Sequence, residues 1–271
     1  MRNCGSSQAS PLARRAPQAD SRGQHADNTH MDLLNAVWRF SVGSDSDLAA
    51  GQLALERIQQ LLVSAIAKDD GAPHALTRAE IDPIKAICDQ LFPANFLLKV
   101  PGSDDDEPER PQRVHYQHVY EDETFSIGIF ILPPGVSIPL HDHPGMSVIS
   151  RVLYGSLHIK SFDLVADVGG NKHTARLQAD EVLTAPHTTE LLPDCGNLHQ
   201  LMGGEDVGCA FLDIITPPYD SNDGRDCTYY RVVSQENSSD GELVTLETYN
   251  PMAFDVLTEP YLGPRLQRYV S

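Results

Sequence analysis

Basic residues are scarce in this chain. Lys and Arg total 20 against 38 Asp and Glu, a formal charge of −18. No local basic cluster offsets that field, which argues against nucleic acid and anionic membrane surfaces as partners. Long apolar runs are missing as well. The longest uncharged stretch, 125–140, is broken by Pro133-Pro134 and falls short of the roughly 18 apolar residues that a membrane-spanning helix needs. No signal-peptide apolar region follows Met1. Cysteine is sparse. Cys4, Cys88, Cys195, Cys209 and Cys227 are odd in number and form no C-x-x-C pair, which argues against a disulfide framework and for a reducing compartment. No repeat of fixed period is visible. These absences lead us to expect a cytoplasmic or nuclear protein, monomeric because no long apolar stripe is left over for a second copy.

A hydrophobic content of 41% in 271 residues is enough for a full core. Residues 1–44 read as a disordered tail, whose first part, up to about residue 30, is poor in large apolar side chains. Arg2, Arg14, Arg15 and Arg22 outnumber Asp20 and Asp27 there, as in a mitochondrial presequence. Pro11, Pro17 and the lack of an apolar stripe make that the lesser reading. Residues 45–101 read as helical. Leu55, Ile58, Leu61, Leu62 and Ile66 recur at three- and four-residue spacing, with Ser46 or Asp47 as cap. A second helix carries Ile84, Ile87, Cys88 and Leu91. It is expected to start at Asp82, because a start at the Thr77–Glu80 capping box would put Pro83 inside it at about 3 kcal/mol. Pro93 stops it. Residues 102–112 are an acidic linker. From 113 to 271, short β-rich runs alternate with Gly, Pro, Asp and Asn, and strands are expected over 125–132, 148–162, 181–185, 198–202, 209–215, 227–233 and 243–249. The pattern is that of an all-β sandwich or barrel with a helical N-terminal appendage.

His141-Asp142-His143 is the strongest local signal. Two imidazoles two residues apart on a strand share a face and can grip one metal ion. Alone, such a pair is more often a surface feature. Its frame is Gly135, five residues, His141, one residue, His143, four residues, Val148, six residues, Gly155. This resembles the first cupin motif, with Val148 where the family has a glutamate ligand. Pro193-Asp194-Cys195-Gly196-Asn197-Leu198-His199 resembles the second, with one extra residue between proline and glycine. The resemblance implies a double-stranded β-helix (jelly-roll) barrel with His141, His143 and His199 as metal ligands and no carboxylate. A neutral ligand set leaves both charges of Fe(II) uncompensated and so suits an anionic thiolate. Imidazole alone would equally suit Zn, Cu or Ni, so iron is implied by the family rather than by ligand chemistry.

Longer blocks are similar to the thiol dioxygenases that comprise the cysteamine dioxygenases and plant cysteine oxidases. They are Pro139–Met146, Leu153-Tyr154-Gly155-Ser156, Asn197–Gln200, Ala210–Ile215, Pro217-Pro218-Tyr219-Asp220, Asp223–Arg231 and Glu259–Arg265. The resemblance spans roughly 114–265 and implies an enzyme holding one Fe(II) per chain, with O2 as co-substrate. Such an enzyme adds both oxygen atoms to the sulfur of cysteamine, or of an N-terminal cysteine on a peptide or protein, giving a sulfinic acid. On protein substrates that mark feeds the Cys/Arg N-degron route and makes the enzyme an oxygen sensor. By the same resemblance Asp213 is the active-site acid, orienting a ligating histidine or receiving the substrate ammonium. Tyr219, stiffened by two prolines, aims its hydroxyl at sulfur or dioxygen. Cys227 and Tyr229 match a pair that can form a thioether cross-link. Other cupin enzymes usually keep the glutamate replaced here by Val148. A non-catalytic binding cupin would not need this whole residue set.

Overall fold

The computed structural model describes residues 43–67, 74–102, 111–238 and 241–268. The expected tail up to residue 42 and the acidic run 103–110 lie outside these residues. Among the described residues no helix is long and apolar enough to cross a membrane.

Two helices precede the sheets. Helix α1, Asp45–Ile66, is capped by Ser44 rather than by Ser46 or Asp47. Asp47 N–H donates to Ser44 Oγ at 3.2 Å, and Ser44 N–H donates back to Asp47 Oδ2 at 2.9 Å. Helix α2, Arg78–Cys88, also departs from expectation: it starts at the Thr77 box and holds Pro83 inside. Glu80 accepts from the Thr77 amide at 3.0 Å and its hydroxyl at 2.7 Å. Pro83 leaves the Ala79 carbonyl without its helical donor, but both residues are exposed, so that carbonyl faces solvent. Meanwhile Ile81, Ile84 and Cys88 are buried along the opposite stripe, and that burial outweighs the proline.

The β domain has strands β1 (Val114–Glu121), β2 (Ser126–Leu132), β3 (Ser137–His141), β4 (Ser147–Gly169), β5 (Lys172–Thr184), β6 (His187–Leu191), β7 (Leu198–Gly203), β8 (Cys209–Thr216), β9 (Tyr230–Ser238), β10 (Gly241–Thr248) and β11 (Val256–Glu259). The long strand β4 belongs to two layers. Its first part pairs with β8 and β6, its second with β7 and β5. Gly155 marks the corner, with φ +71°. A Cβ there would lie 1.9 Å from the Gly208 carbonyl oxygen, so only glycine fits. One layer runs β11-β1-β2-β8-β4 and the other β4-β5-β10-β9, with β3 joined through β7. The result is the double-stranded β-helix barrel of the cupins with helices attached outside.

Side chains alternate across the first layer. Ile127, Ile129, Ile149, Leu212 and Ile214 face the helices and share one core with Leu55, Ile58, Ile81 and Ile84. Val152, Leu157, Leu201 and Phe211 fill the barrel interior. Arg151 lies on the helix-facing side of β4, 4% exposed. Its guanidinium donates to the carbonyls of Asp89 and Leu91 and to Thr188 Oγ1, at 2.7–3.2 Å. These carbonyls follow the end of α2, where backbone acceptors lack helical partners, so one buried cation fastens the helical layer to the barrel.

Candidate metal centre

His141 ends β3, His143 lies two residues beyond it, and His199 is the second residue of β7. Strands β3 and β7 pair antiparallel with His141 opposite His199, so the ladder itself brings the third imidazole to the first two. All three are buried, and their ring nitrogens lie within 4.8 Å of one another. His143 Nε2 and His199 Nε2 are 3.1 Å apart. Two ligand atoms about 2.1 Å from one ion at roughly a right angle would be about 3 Å apart, so the spacing fits a shared metal.

The tautomers fit as well. Tyr219 Oη is 2.7 Å from the Asp142 carbonyl and 2.8 Å from His143 Nδ1. A carbonyl only accepts, so the hydroxyl proton goes there, and the hydroxyl oxygen accepts from His143 Nδ1–H. That leaves the Nε2 lone pair facing the other imidazoles. His141 Nδ1 donates to the Pro139 carbonyl at 2.9 Å, which frees its Nε2 in the same way. Burial keeps the ligands neutral: it lowers His141 to about 4 and holds His143 and His199 well below the ordinary imidazole value. Partners that fix ring orientation are a general requirement of metal-binding histidines.

Asn197, two residues before His199, grips the backbone of His143, where the turn at 144–145 begins. It accepts from His143 N–H at 3.0 Å and donates to the His143 carbonyl at 2.8 Å. Val148, at the family's glutamate position, is fully buried among Met146, Leu191 and Ile215 and offers no ligand. Cys195 is exposed and outside the cluster.

Asp213 is buried on the interior face of β8. Its hydrogen bond comes from Ser150 Oγ, at 2.6 Å, rather than from an imidazole. Burial raises its carboxyl to about 7, against the pull of that bond. Cys227 precedes β9 instead of lying on it, so the expected strand face shared with Tyr229 is not what joins the pair. They are nonetheless close: the Cys227 thiol interacts electrostatically with the Tyr219 and Tyr229 side chains, and burial pushes it up to about 12. Tyr229 forms an isolated bridge with His141, and the two ring centres are 6.2 Å apart. Asn197, Asp142 and Ser150 are the parts of the site that sequence reasoning missed. For Asn197 and Asp142 the one available signal is a polar residue beside or two residues from a histidine; Ser150 has none.

The family PCO_ADO matches residues 85–266. The 2-aminoethanethiol dioxygenase of Homo sapiens is 39% identical over 186 residues, 56% of this chain and 68% of that protein. Plant cysteine oxidase 1 of Arabidopsis thaliana is 36% identical over 173 residues, 59% of this chain and 58% of that protein. The chain thus spans less than two thirds of the length of the plant relative. Among solved structures, a Klebsiella pneumoniae protein with a double-stranded β-helix domain is 16% identical with a TM-score of 0.31, covering 46% of this chain and 86% of that one. The match across residues 85–266, which holds the histidine cluster, Asp213, Tyr219, Cys227 and Tyr229, makes this chain a member of the PCO_ADO family.

Proposed function

We propose that this protein is an Fe(II)-dependent thiol dioxygenase acting on compounds with a primary amine two carbons from a thiol: cysteamine, and peptides or proteins beginning with cysteine. The observation that carries the reading is the buried cluster of neutral imidazoles, which no carboxylate among the described residues joins, in a chain whose relatives are named for 2-aminoethanethiol and for cysteine. His141, His143 and His199 would hold the iron. When bound, the iron supplies the redox chemistry that joins both atoms of dioxygen to sulfur, giving a sulfinic acid. On protein N-termini this places the enzyme in the Cys/Arg N-degron route as an oxygen sensor.

The chain's own residues do the rest. Tyr219 and the Pro139 carbonyl hold the protons on the far nitrogens of His143 and His141, so the near nitrogens stay free. Apolar packing by Met146, Val148, Leu191 and Ile215 excludes water from one side. Asp213, buried and partnered by a neutral hydroxyl, keeps acceptor capacity for the substrate ammonium. Cys227 and Tyr229 are the pair that would be joined as a thioether, an oxidation that loses two hydrogens and for which dioxygen at the bound iron would be the oxidant.

Amine recognition provides the test. N-acetylating a Cys-initiated peptide removes the charge that Asp213 would meet and should abolish oxidation by the iron-loaded enzyme. Equal turnover of acetylated and free peptides would contradict the substrate class.

A further inference from the structure

Asp142 sits between two of the candidate ligands, yet its carboxylate is bonded to a different part of the chain. Oδ1 accepts from the Thr228 amide at 2.8 Å, and Oδ2 accepts from the Tyr230 hydroxyl at 3.0 Å. The Asp142 amide donates to the Thr228 carbonyl at 3.2 Å. Its own carbonyl accepts the Tyr219 hydroxyl. The neighbouring His141 bridges to Tyr229. Every contact on the 228–230 side flanks Tyr229 and follows directly on Cys227.

That segment needs an outside hold. Strand β9 begins only at Tyr230, so Cys227 and Thr228 are not fixed by a continuous ladder. The Thr228 amide is half-buried and would lose its partner if the Asp142 side chain were removed, and an unsatisfied buried donor is costly. Tyr219, Cys227 and Tyr229 therefore all take their position relative to the histidines from residue 142, Tyr219 through its backbone and the other two through its side chain.

We propose that Asp142 is a positioning residue of the thiol-oxidation site. It holds the Cys227–Tyr229 segment in register against His141 and His143 through Thr228 and Tyr230. It acts by geometry rather than charge. Both partners of its carboxylate are neutral, and an asparagine side chain can keep both contacts: its oxygen accepts from Thr228 N–H, and its NH2 donates to the Tyr230 oxygen with the phenol proton turned away. The inference rests on the thiol dioxygenase reading only for its activity arm.

The experiment has two arms. In the metal-free protein, amide exchange is measured at Thr228, with amides of β8 as internal control. Asp142→Ala should exchange at least about tenfold faster at Thr228 alone, and Asp142→Asn should match the unmodified protein. In the iron-loaded enzyme, with metal content measured on the same samples, Asp142→Ala should lose about 10–100-fold in kcat while keeping its iron, and Asp142→Asn should restore it. If Asp142→Ala fails to fold, Tyr230→Phe replaces it, with faster exchange around Thr228 and reduced kcat expected. Unchanged Thr228 exchange in the deletion variant would overturn the proposal. So would an Asp142→Asn protein as impaired as Asp142→Ala, since charge rather than geometry would then matter. If the unmodified enzyme oxidises no thiol, the proposed function falls, and the exchange arm still decides whether Asp142 holds the segment.

Discussion

Ser150 and Asp213 stand opposite each other in the β4–β8 ladder, and the serine hydroxyl donates to the aspartate at 2.6 Å inside the barrel. A carboxylate held by one neutral donor in an apolar interior is unstable as an anion. Burial accordingly raises Asp213 to about 7. The folded state therefore binds a proton that the unfolded chain releases at an ordinary carboxylate value, so this group's contribution to stability declines as pH rises towards about 7. In the metal-free protein, the Tm of Asp213→Asn relative to the unmodified chain should climb between about pH 4 and about pH 8. A pH-independent difference would show that the carboxyl titrates normally.

The same substitution tests the role of Asp213 in turnover. Asp213→Asn keeps shape and removes charge. We expect iron content near that of the unmodified enzyme and a turnover loss of more than about tenfold. Iron lost in step with activity would instead make Asp213 a support for a histidine. Unmodified values of both would remove it from the site.

Tyr219→Phe removes the acceptor of the His143 Nδ1 proton. With the tautomer and ring angle released, metal affinity should fall by about 10–100-fold, as read by iron competition against a chelator. Unaltered affinity would mean that the tautomer needs no such support.

Much of this was legible in the sequence, and the failures have physical causes. Strands β2 and β8 are covered on both faces, by helices and by the barrel interior, so they read as largely apolar runs, interrupted in β8 by Asp213. Strand β5 is mostly exposed and is held by pairing with β4 and β10; only its last residues were expected, because ladder hydrogen bonds leave no hydrophobic pattern. The start of α2 differs from expectation because the burial of Ile81, which lies before Asp82, adds to the helix what the proline cost alone does not weigh. The histidine spacing is local and was readable. The residues that hold it are not local: Asn197 meets His143 across 54 positions, Ser150 meets Asp213 across 63, and Asp142 meets Tyr230 across 88.

Arg151→Met should separate scaffold from site. It removes the cation that joins the carbonyls of Asp89 and Leu91 to the barrel. A loss of about 3 kcal/mol in stability is expected, with metal content unaltered in the folded fraction. Denaturant unfolding checks the first and metal analysis the second. A variant as stable as the parent would mean that packing alone seats α2.

With iron bound, this site is expected to add both atoms of dioxygen to the sulfur of amino-thiols. Iron is loaded without oxygen, cysteamine or a Cys-initiated peptide is added, and isotopically labelled O2 is admitted. The expected product is a sulfinic acid carrying two labelled oxygens, formed by the unmodified enzyme and absent with His199→Ala, which should also lose most of its iron. A product with one labelled atom or none, or full iron and turnover in His199→Ala, would contradict it.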